Sequence, residues 1–316
     1  MWTLDFDLGK APLEISHSSR MFFIGSCFAE TIFSKTQTAG FNSYQPKLGS
    51  LFHPTAIFKV LENALQVDPD LRVFKKENHF LSWDTASVVN AFSEKEVQQR
   101  LKTVYSEVKT ELQNTDVLFI TLGTAKGYYF ENEFVANCHK VPSVNFTNQL
   151  IDDQAILIEF KRVLDSIRLI NPNLKVVLTV SPVRHVRDGL IENNRSKARL
   201  LKFVELAEKL EGVSYFPAYE ILIDKLRDYR FYAEDMVHPN EIAQNYIWSV
   251  FKSFYCSTKT NEIIKKLKGF DLFFNHKSIL EEDEFSQFKK QEMENSFKNF
   301  LKEHPEVSRN KKRLTN

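Results

Sequence analysis

Two stretches of this chain hold residue types that could do nucleophilic chemistry. In the first, the apolar run Met21-Phe22-Phe23-Ile24 leads through Gly25 into Ser26-Cys27-Phe28-Ala29-Glu30. The run has the length of a buried strand, and Gly25 permits a tight backbone path at its end. Phe28-Ala29-Glu30-Thr31-Ile32-Phe33 can carry a helix whose first N–H groups face back toward Ser26. A hydroxyl delivered there suits a reaction whose transition state is an oxyanion. The second stretch is Asp235-Met236-Val237-His238-Pro239-Asn240. A carboxylate three residues before a histidine, in a loop closed by proline, can fold onto the imidazole and fix its tautomer. Ser26 as nucleophile, His238 as base and Asp235 as its orienter make a serine hydrolase triad. Cys27, the neighbour of Ser26, offers a second reading as a cysteine nucleophile, because the turn aims one of the two outward.

These residues need a scaffold that brings positions some 210 apart to one rim. Strand patterns recur at Phe41–Tyr44, Asp116–Leu122, Lys175–Val180 and Val213–Pro217, with helical patterns between them at about 55–66, 94–114, 148–170 and 194–210. Further helical segments are expected over 218–230 and from Pro239 to Phe254, with Asn194 as a cap. This alternation predicts an α/β fold: a doubly wound, mainly parallel five-stranded sheet with helices on both faces. Ligands of such sheets bind beyond the carboxyl ends of the strands. Thr124, Arg184 and His185 follow two of those ends and are candidate substrate contacts. Residues 71–92 read as irregular structure or a small hairpin forming a pocket wall, with Trp83 packed or stacking on a substrate. The alternation about Glu131-Asn132-Glu133 predicts a hairpin whose return leg brings Asn137, Cys138, His139 and Lys140 back toward Gly123.

The letters Gly25-Ser26-Cys27-Phe28-Ala29, Asn137-Cys138-His139-Lys140, Ser181-Pro182-Val183-Arg184-His185 and Asp235-Met236-Val237-His238-Pro239 resemble the GSCFA domain family, within or beside the SGNH (GDSL-like) hydrolases. The resemblance runs from about Phe22 to about Phe254. It implies an esterase or acyltransferase acting on a carbohydrate or other small polar ester, for example an acetyl ester, without cofactor or metal. It also implies that the backbone of Ser26 and of Gly49 lines an oxyanion hole. The SGNH pattern Gly-x-Asn-Asp supplies a third, side-chain donor, and here the matching segment reads Gly123-Thr124-Ala125-Lys126. Alanine has no donor to give, so His139, or else Asn137, is expected to replace it. A non-catalytic binding module keeping the fold is the alternative that Ala125 supports.

Composition narrows the rest. The 316 residues carry 42 basic and 41 acidic side chains, a net charge of +1. No polyelectrolyte character argues for nucleic acid or an anionic membrane. Three distant cysteines favour a reducing compartment over a disulfide framework. The acidic start and the lack of a long apolar run predict a cytoplasmic protein without a membrane span. The fold is expected to occupy residues 1–258. Residues 259–316 read as a charged helical extension, with an apolar stripe at Phe285, Phe288, Phe297, Phe300 and Leu301 and a basic tail at Arg309–Arg313. Nothing in the sequence fixes the oligomeric state.

Overall fold

The computed structural model describes residue 4 and residues 6–275 and 284–307, with side chains from 287 in the last helix. The Phe285 side chain and the 309–313 tail lie outside what it describes. In chain order the first half runs β1 (Arg20–Gly25), α1 (Cys27–Thr38), β2 (Asn42–Tyr44), α2 (Pro54–Leu65), β3 (Val73–Lys76), β4 (His79–Ser82), β5 (Asn90–Ala91), α3 (Glu94–Asn114) and β6 (Val117–Leu122). Then come β7 (Lys126–Phe130), β8 (Glu133–Val135), β9 (Phe146–Leu150), α4 (Asp153–Arg168), β10 (Lys175–Val180), α5 (Leu190–Ala207) and β11 (Val213–Tyr215). The single turn α6 (Ala218–Glu220), then α7 (Glu241–Tyr255), α8 (Thr258–Asn275) and α9 (Glu284–Glu303) complete the chain.

β1, β6 and β10 are buried on both faces, which is why they read as continuous apolar runs rather than alternating ones. Alternate residues face opposite layers. Phe22, Ile24, Leu118, Ile120, Val176 and Leu178 pack into a core with α2, α3, α4 and α5. Met21, Phe23, Val117, Phe119 and Val177 face a second core containing residues of α1 and α7. The five-stranded parallel sheet has the order β11-β10-β6-β1-β2. Chain direction across the sheet reverses between β1 and β6, and a doubly wound sheet opens its ligand crevice at such a switch point. Register pairs Gly25 with Thr121 and Thr179 with Thr121, so β1, β6 and β10 end level. Ser26, Gly123 and Ser181 therefore emerge side by side.

Two small antiparallel sheets stand outside this frame, β3-β4-β5 and β8-β7-β9. The turn between β7 and β8 is the expected one, with Glu131 and Asn132 at φ of 50° and 66°. Where a helix from 148 was expected, Phe146–Leu150 instead pairs antiparallel with β7, and Asp152 caps α4 by accepting from Gln154 N–H. The 218–230 segment is shorter-ranged than expected: α6 runs into one wider turn over Ile221–Lys225 and then a tight turn over Tyr229–Phe231. Trp83 stacks on Phe74 with ring centroids 3.6 Å apart and on Phe130 at 4.9 Å, so it packs the two small sheets together. In the extension, Ile263, Leu267 and Phe270 of α8 meet Phe297 and Phe300 of α9 in a third apolar cluster, while Phe288 is exposed.

Candidate functional site

The β1–α1 junction is built for one residue at position 25. Gly25 has φ of +136°, and a Cβ there would lie 2.1 Å from the Thr121 carbonyl oxygen. Only glycine fits both the conformation and the space. The chain turns at once. Ser26 N–H donates to Thr121 O at 3.0 Å, and Ser26 O accepts from Ala29 N–H at 2.8 Å, starting α1. Serine at a helix N-cap usually accepts from the N2 or N3 amide, a bond whose loss costs ~1 kcal/mol. Ser26 does not do so. Its Oγ is fully buried and has no hydrogen-bond partner. A hydroxyl withheld from capping, at the positive end of a helix, is what a nucleophile needs.

The base loop is ordered by its own carboxylate. Asp235 Oδ1 accepts from Val237 N–H at 2.9 Å and His238 N–H at 3.0 Å, and Oδ2 accepts from His238 Nδ1 at 2.7 Å. These bonds hold the Asp235 carboxyl down at about 2, the His238 backbone N–H first among them. The reversal is closed by Met236 at φ of 58°. With Nδ1–H donated to Asp235, Nε2 of a neutral His238 is left as a proton acceptor. Both side chains are about half exposed.

Arg184 ties this loop to the end of β10. Its N–H donates to Val237 O at 3.4 Å, and its guanidinium lies 4.5 Å from the Tyr232 ring centre and 5.9 Å from that of Tyr229. Tyr232 in turn bridges Pro239. Arg184, expected as a substrate clamp, thus stands on the base side, in a shallow cleft with Asp224 and Asp228. Its neighbour His185 faces the other way. His185 Nε2 is buried without a partner and would lie 3.1 Å from a Cβ on Gly123, and its ring meets Phe52 edge-on at 5.2 Å. Burial, then the charge of Lys197, push it down to about 4, so the ring is neutral. Asn193 Oδ1 fixes it by accepting from His185 N–H at 2.9 Å. Asn193 does this from inside α5, which starts at Leu190 rather than at Asn194 as expected.

Lys197 is the site residue that sequence reasoning missed. It is 1 % exposed, and Nζ donates to Gly123 O and to Ser181 O, both at 2.7 Å. One ammonium thus ties the ends of β6 and β10. Burial pushes its amine down to about 7, and the two carbonyls oppose that shift by bonding the charged form. The signal was there: Asn193, Ser196, Lys197, Leu200, Phe203, Val204 and Ala207 make the buried stripe of α5. A lysine within such a stripe marks a buried partner.

The expected oxyanion set is changed by the geometry. Ser26 N–H is already committed to Thr121 O. Gly49, at φ of +71°, sits in a loop held beside the elbow through Leu51 N–H to Gly25 O at 2.8 Å. His139 does not fill the place left by Ala125. Its Nε2 bonds Ser82 O at 2.8 Å and its Nδ1 bonds the Ser87 hydroxyl at 2.9 Å. Burial lowers its pKa, so the neutral ring has a single N–H, which the Ser82 carbonyl takes. Asn137 Oδ1 accepts from His139 N–H at 2.7 Å, which orients that side chain through its acceptor end and leaves its NH2 donors uncommitted by this bond. The Thr124 hydroxyl pairs with Ser196 Oγ at 2.9 Å while Ser196 Oγ accepts from Ala125 N–H at 2.7 Å. Cys27 is half-buried, and burial followed by Glu30 raises its thiol, which disfavours the thiolate that a cysteine nucleophile requires.

The fold and rim define a doubly wound α/β domain with a free serine at its switch point and an aspartate-held histidine in a loop docked on the same edge. The chain belongs to the GSCFA family, whose model matches residues 20–251. No curated protein matches it. Among solved structures it is similar to a carbohydrate esterase family 3 from Talaromyces cellulolyticus, at 11 % identity and a TM-score of 0.36, covering 78 % of this chain and 99 % of that one. A Clostridium thermocellum family 3 carbohydrate esterase is similar at 12 % identity and a TM-score of 0.36, over 79 % and 98 % of the two chains. An acetyl xylan esterase (Est2A) from the rumen bacterium Butyrivibrio proteoclasticus follows at 13 % and 0.37, over 83 % and 66 %. Among the described residues no helix is long and apolar enough to cross a membrane, and no group of three or more His, Cys, Asp and Glu could hold a metal.

Proposed function

We propose that the chain is an SGNH-like serine hydrolase that cleaves, or transfers, an ester-linked acyl group on a carbohydrate or other small polar substrate. The observation that carries this reading is the buried, unbonded Ser26 Oγ at the switch point, in a chain that also holds a histidine whose Nδ1 is bonded to a carboxylate. Ser26 Oγ attacks the acyl carbonyl carbon while His238 Nε2 takes its proton. The tetrahedral oxyanion collapses, the alkoxide of the acceptor leaves with that proton, and the acyl group stays on Ser26. Water, or a second hydroxyl, then attacks the acyl-enzyme with His238 again as base. Asp235 holds the tautomer throughout. Developing negative charge faces the N-terminal end of α1 and the loop amide of Gly49. The side-chain donor absent at Ala125 is supplied by His185 Nε2–H, since a neutral imidazole donates as an amide does.

Ser26 Oγ and His238 are not hydrogen bonded in this structure, and the serine is covered. Catalytic contacts of this kind often close only around substrate. The test is pre-steady-state hydrolysis of 4-nitrophenyl acetate by the wild type and by Cys27→Ala. A burst of one nitrophenolate per chain in both supports an acyl-serine, whereas no turnover by the wild type, or a burst lost with Cys27, sinks the reading.

A further inference from the structure

Just past Gly123, with Thr124 and His185 in its lining, lies a cleft of about 500 Å³ between the β7–β8 hairpin, its return leg and the loop after β10. Its walls include Lys126, Lys140 and Arg187 against a single carboxylate, Asp188. Asp188 is already satisfied twice, by Tyr128 OH at 2.6 Å and by Lys126 Nζ at 3.3 Å. Arg187 instead lies with its guanidinium 5.2 Å from the Tyr128 ring centre and against the Cys138 thiol. Among the described residues, neither Arg187 nor Lys140 is within ion-pair distance of a carboxylate. His53, His139 and His185, which complete the walls, are all driven toward the neutral form by burial and add no balancing charge of either sign. In a chain whose net charge is +1, this is a local excess of two cations. His185 Nε2, buried and unpartnered, is aimed at Gly123 at the inner end of the same cleft. Gly123 follows β6, one strand spacing of ~4.8 Å from β1 and Ser26.

Given the hydrolase reading above, on which this rests, we propose that the cleft holds the acceptor part of the substrate and that this part is anionic: an O-acylated sugar or polyol carrying a carboxylate or phosphate, bound by Arg187 and Lys140 while its acyl group reaches Ser26 past His185. A planar guanidinium matches either oxyanion in bidentate fashion, and the exposed ammonium adds a point charge. Asp188, engaged by Tyr128 and Lys126, orients the wall rather than competing for Arg187.

The experiment uses matched esters and the full-length protein. We measure kcat/KM for methyl O-acetyl-galactosiduronate, for methyl O-acetyl-galactoside as its neutral counterpart and for O-acetyl-galactose 6-phosphate, with 4-nitrophenyl acetate as a small uncharged reference. An anionic ester preferred over the neutral one by about 10-fold, with the ratio falling toward unity in Arg187→Gln/Lys140→Gln and with added salt, supports the proposal. The better of the two anions identifies carboxylate or phosphate. Because the ratio is taken within each variant, a general loss of activity cancels. Equal kcat/KM for all three sugars, or a preference that survives the double substitution, overturns it. If 4-nitrophenyl acetate and every sugar ester go unhydrolysed, the hydrolase reading fails separately. Calorimetric titration of Ser26→Ala with galacturonate, galactose 6-phosphate and galactose then decides on the cleft alone: tighter binding of an anion supports it and equal affinities overturn it.

Discussion

The Ser26 elbow and the His238 loop, the proposed nucleophile and base, are held in place by opposite means. Ser26 is positioned by the sheet: Gly25 and Ser26 bond to Thr121 and to the Leu51 loop, and the serine is wholly buried. His238 is positioned by three bonds from one carboxylate within its own loop, at about half exposure, with Arg184 stapling that loop to β10. The first arrangement is stiff because moving it would break strand pairing. The second is locally determined and can shift without disturbing the core, which suits the proposed base, whose part in the proposed mechanism is to approach the serine. Substitutions at the elbow should therefore damage fold and activity together unless they spare the backbone, whereas those in the base loop should damage activity alone.

The sharpest break is Gly25→Ala, whose Cβ meets Thr121 O at 2.1 Å. We expect a cost above ~4 kcal/mol, a large part of the stability of an ordinary domain, read as loss of a cooperative thermal transition. A variant that melts like the wild type would show that the elbow is not fixed by the sheet. Next is Ser26→Ala, which leaves the backbone untouched and removes a hydroxyl that makes no hydrogen bond. Turnover should fall by at least ~10⁴-fold while the melting temperature hardly moves; retained turnover would place the nucleophile elsewhere. Asp235→Asn comes third. It keeps the shape of the loop but loses the charge that fixes the tautomer, so kcat should drop ~10²–10⁴-fold with little change in unfolding. A kcat within a few-fold of the wild type would remove Asp235 from the mechanism.

The smallest effects are pH-dependent, and their signs differ between the regions. Asp235 is held at about 2 in the fold against an ordinary 3.8, so what it contributes is complete above about 4 and is lost as pH falls toward about 2. Resonances of the loop amides of Val237 and His238 should move in that window, ahead of global unfolding. Burial pushes Lys197 down to about 7 in the fold against an ordinary 10.5. Between those values the unfolded chain holds the proton that the fold has released, so stability rises with pH from about 7 toward 10.5. Denaturant midpoints should climb over that range in the wild type and stay flatter in Lys197→Met. That variant should also lose stability at every pH because the Gly123 and Ser181 carbonyls are left bare, at ~1–3 kcal/mol each. An identical slope in both proteins would relieve Lys197 of the role.

What the sequence made legible follows the same division. β1, β6 and β10 could be read because parallel strands buried on both faces are continuous apolar runs, the short edge strands β2 and β11 by their place in the alternation with helices, and the β7–β8 hairpin by the alternation about Glu131-Asn132-Glu133. The Asp235–His238 bond was readable because it is local. The β9 strand was hidden: Phe146-Thr147-Asn148-Gln149-Leu150 has few apolar residues, and its pairing with β7 rests on the backbone ladder and one ring contact, Phe146 with Phe130 at 5.7 Å. His139 was misread for a related reason. Its return leg does come back toward Gly123, but its ring is claimed by Ser82 and Ser87 from the β3-β4-β5 sheet, an element expected only as irregular structure or a small hairpin. Lys197 required knowing that Gly123 and Ser181 end level on neighbouring strands. Partners that depend on register or on a third element are invisible to spacing along one segment.

The central claim is that Ser26, rather than Cys27 or nothing at all, is an activated nucleophile. The most direct measurement is reaction with a fluorophosphonate at neutral pH, followed by mapping of the adduct by mass spectrometry in the wild type, Cys27→Ala and His238→Gln. A single adduct on Ser26 is expected, unaffected by Cys27→Ala and slowed by at least ~10²-fold in His238→Gln. An adduct on another residue, or labelling of Ser26 at the same rate without His238, would contradict it.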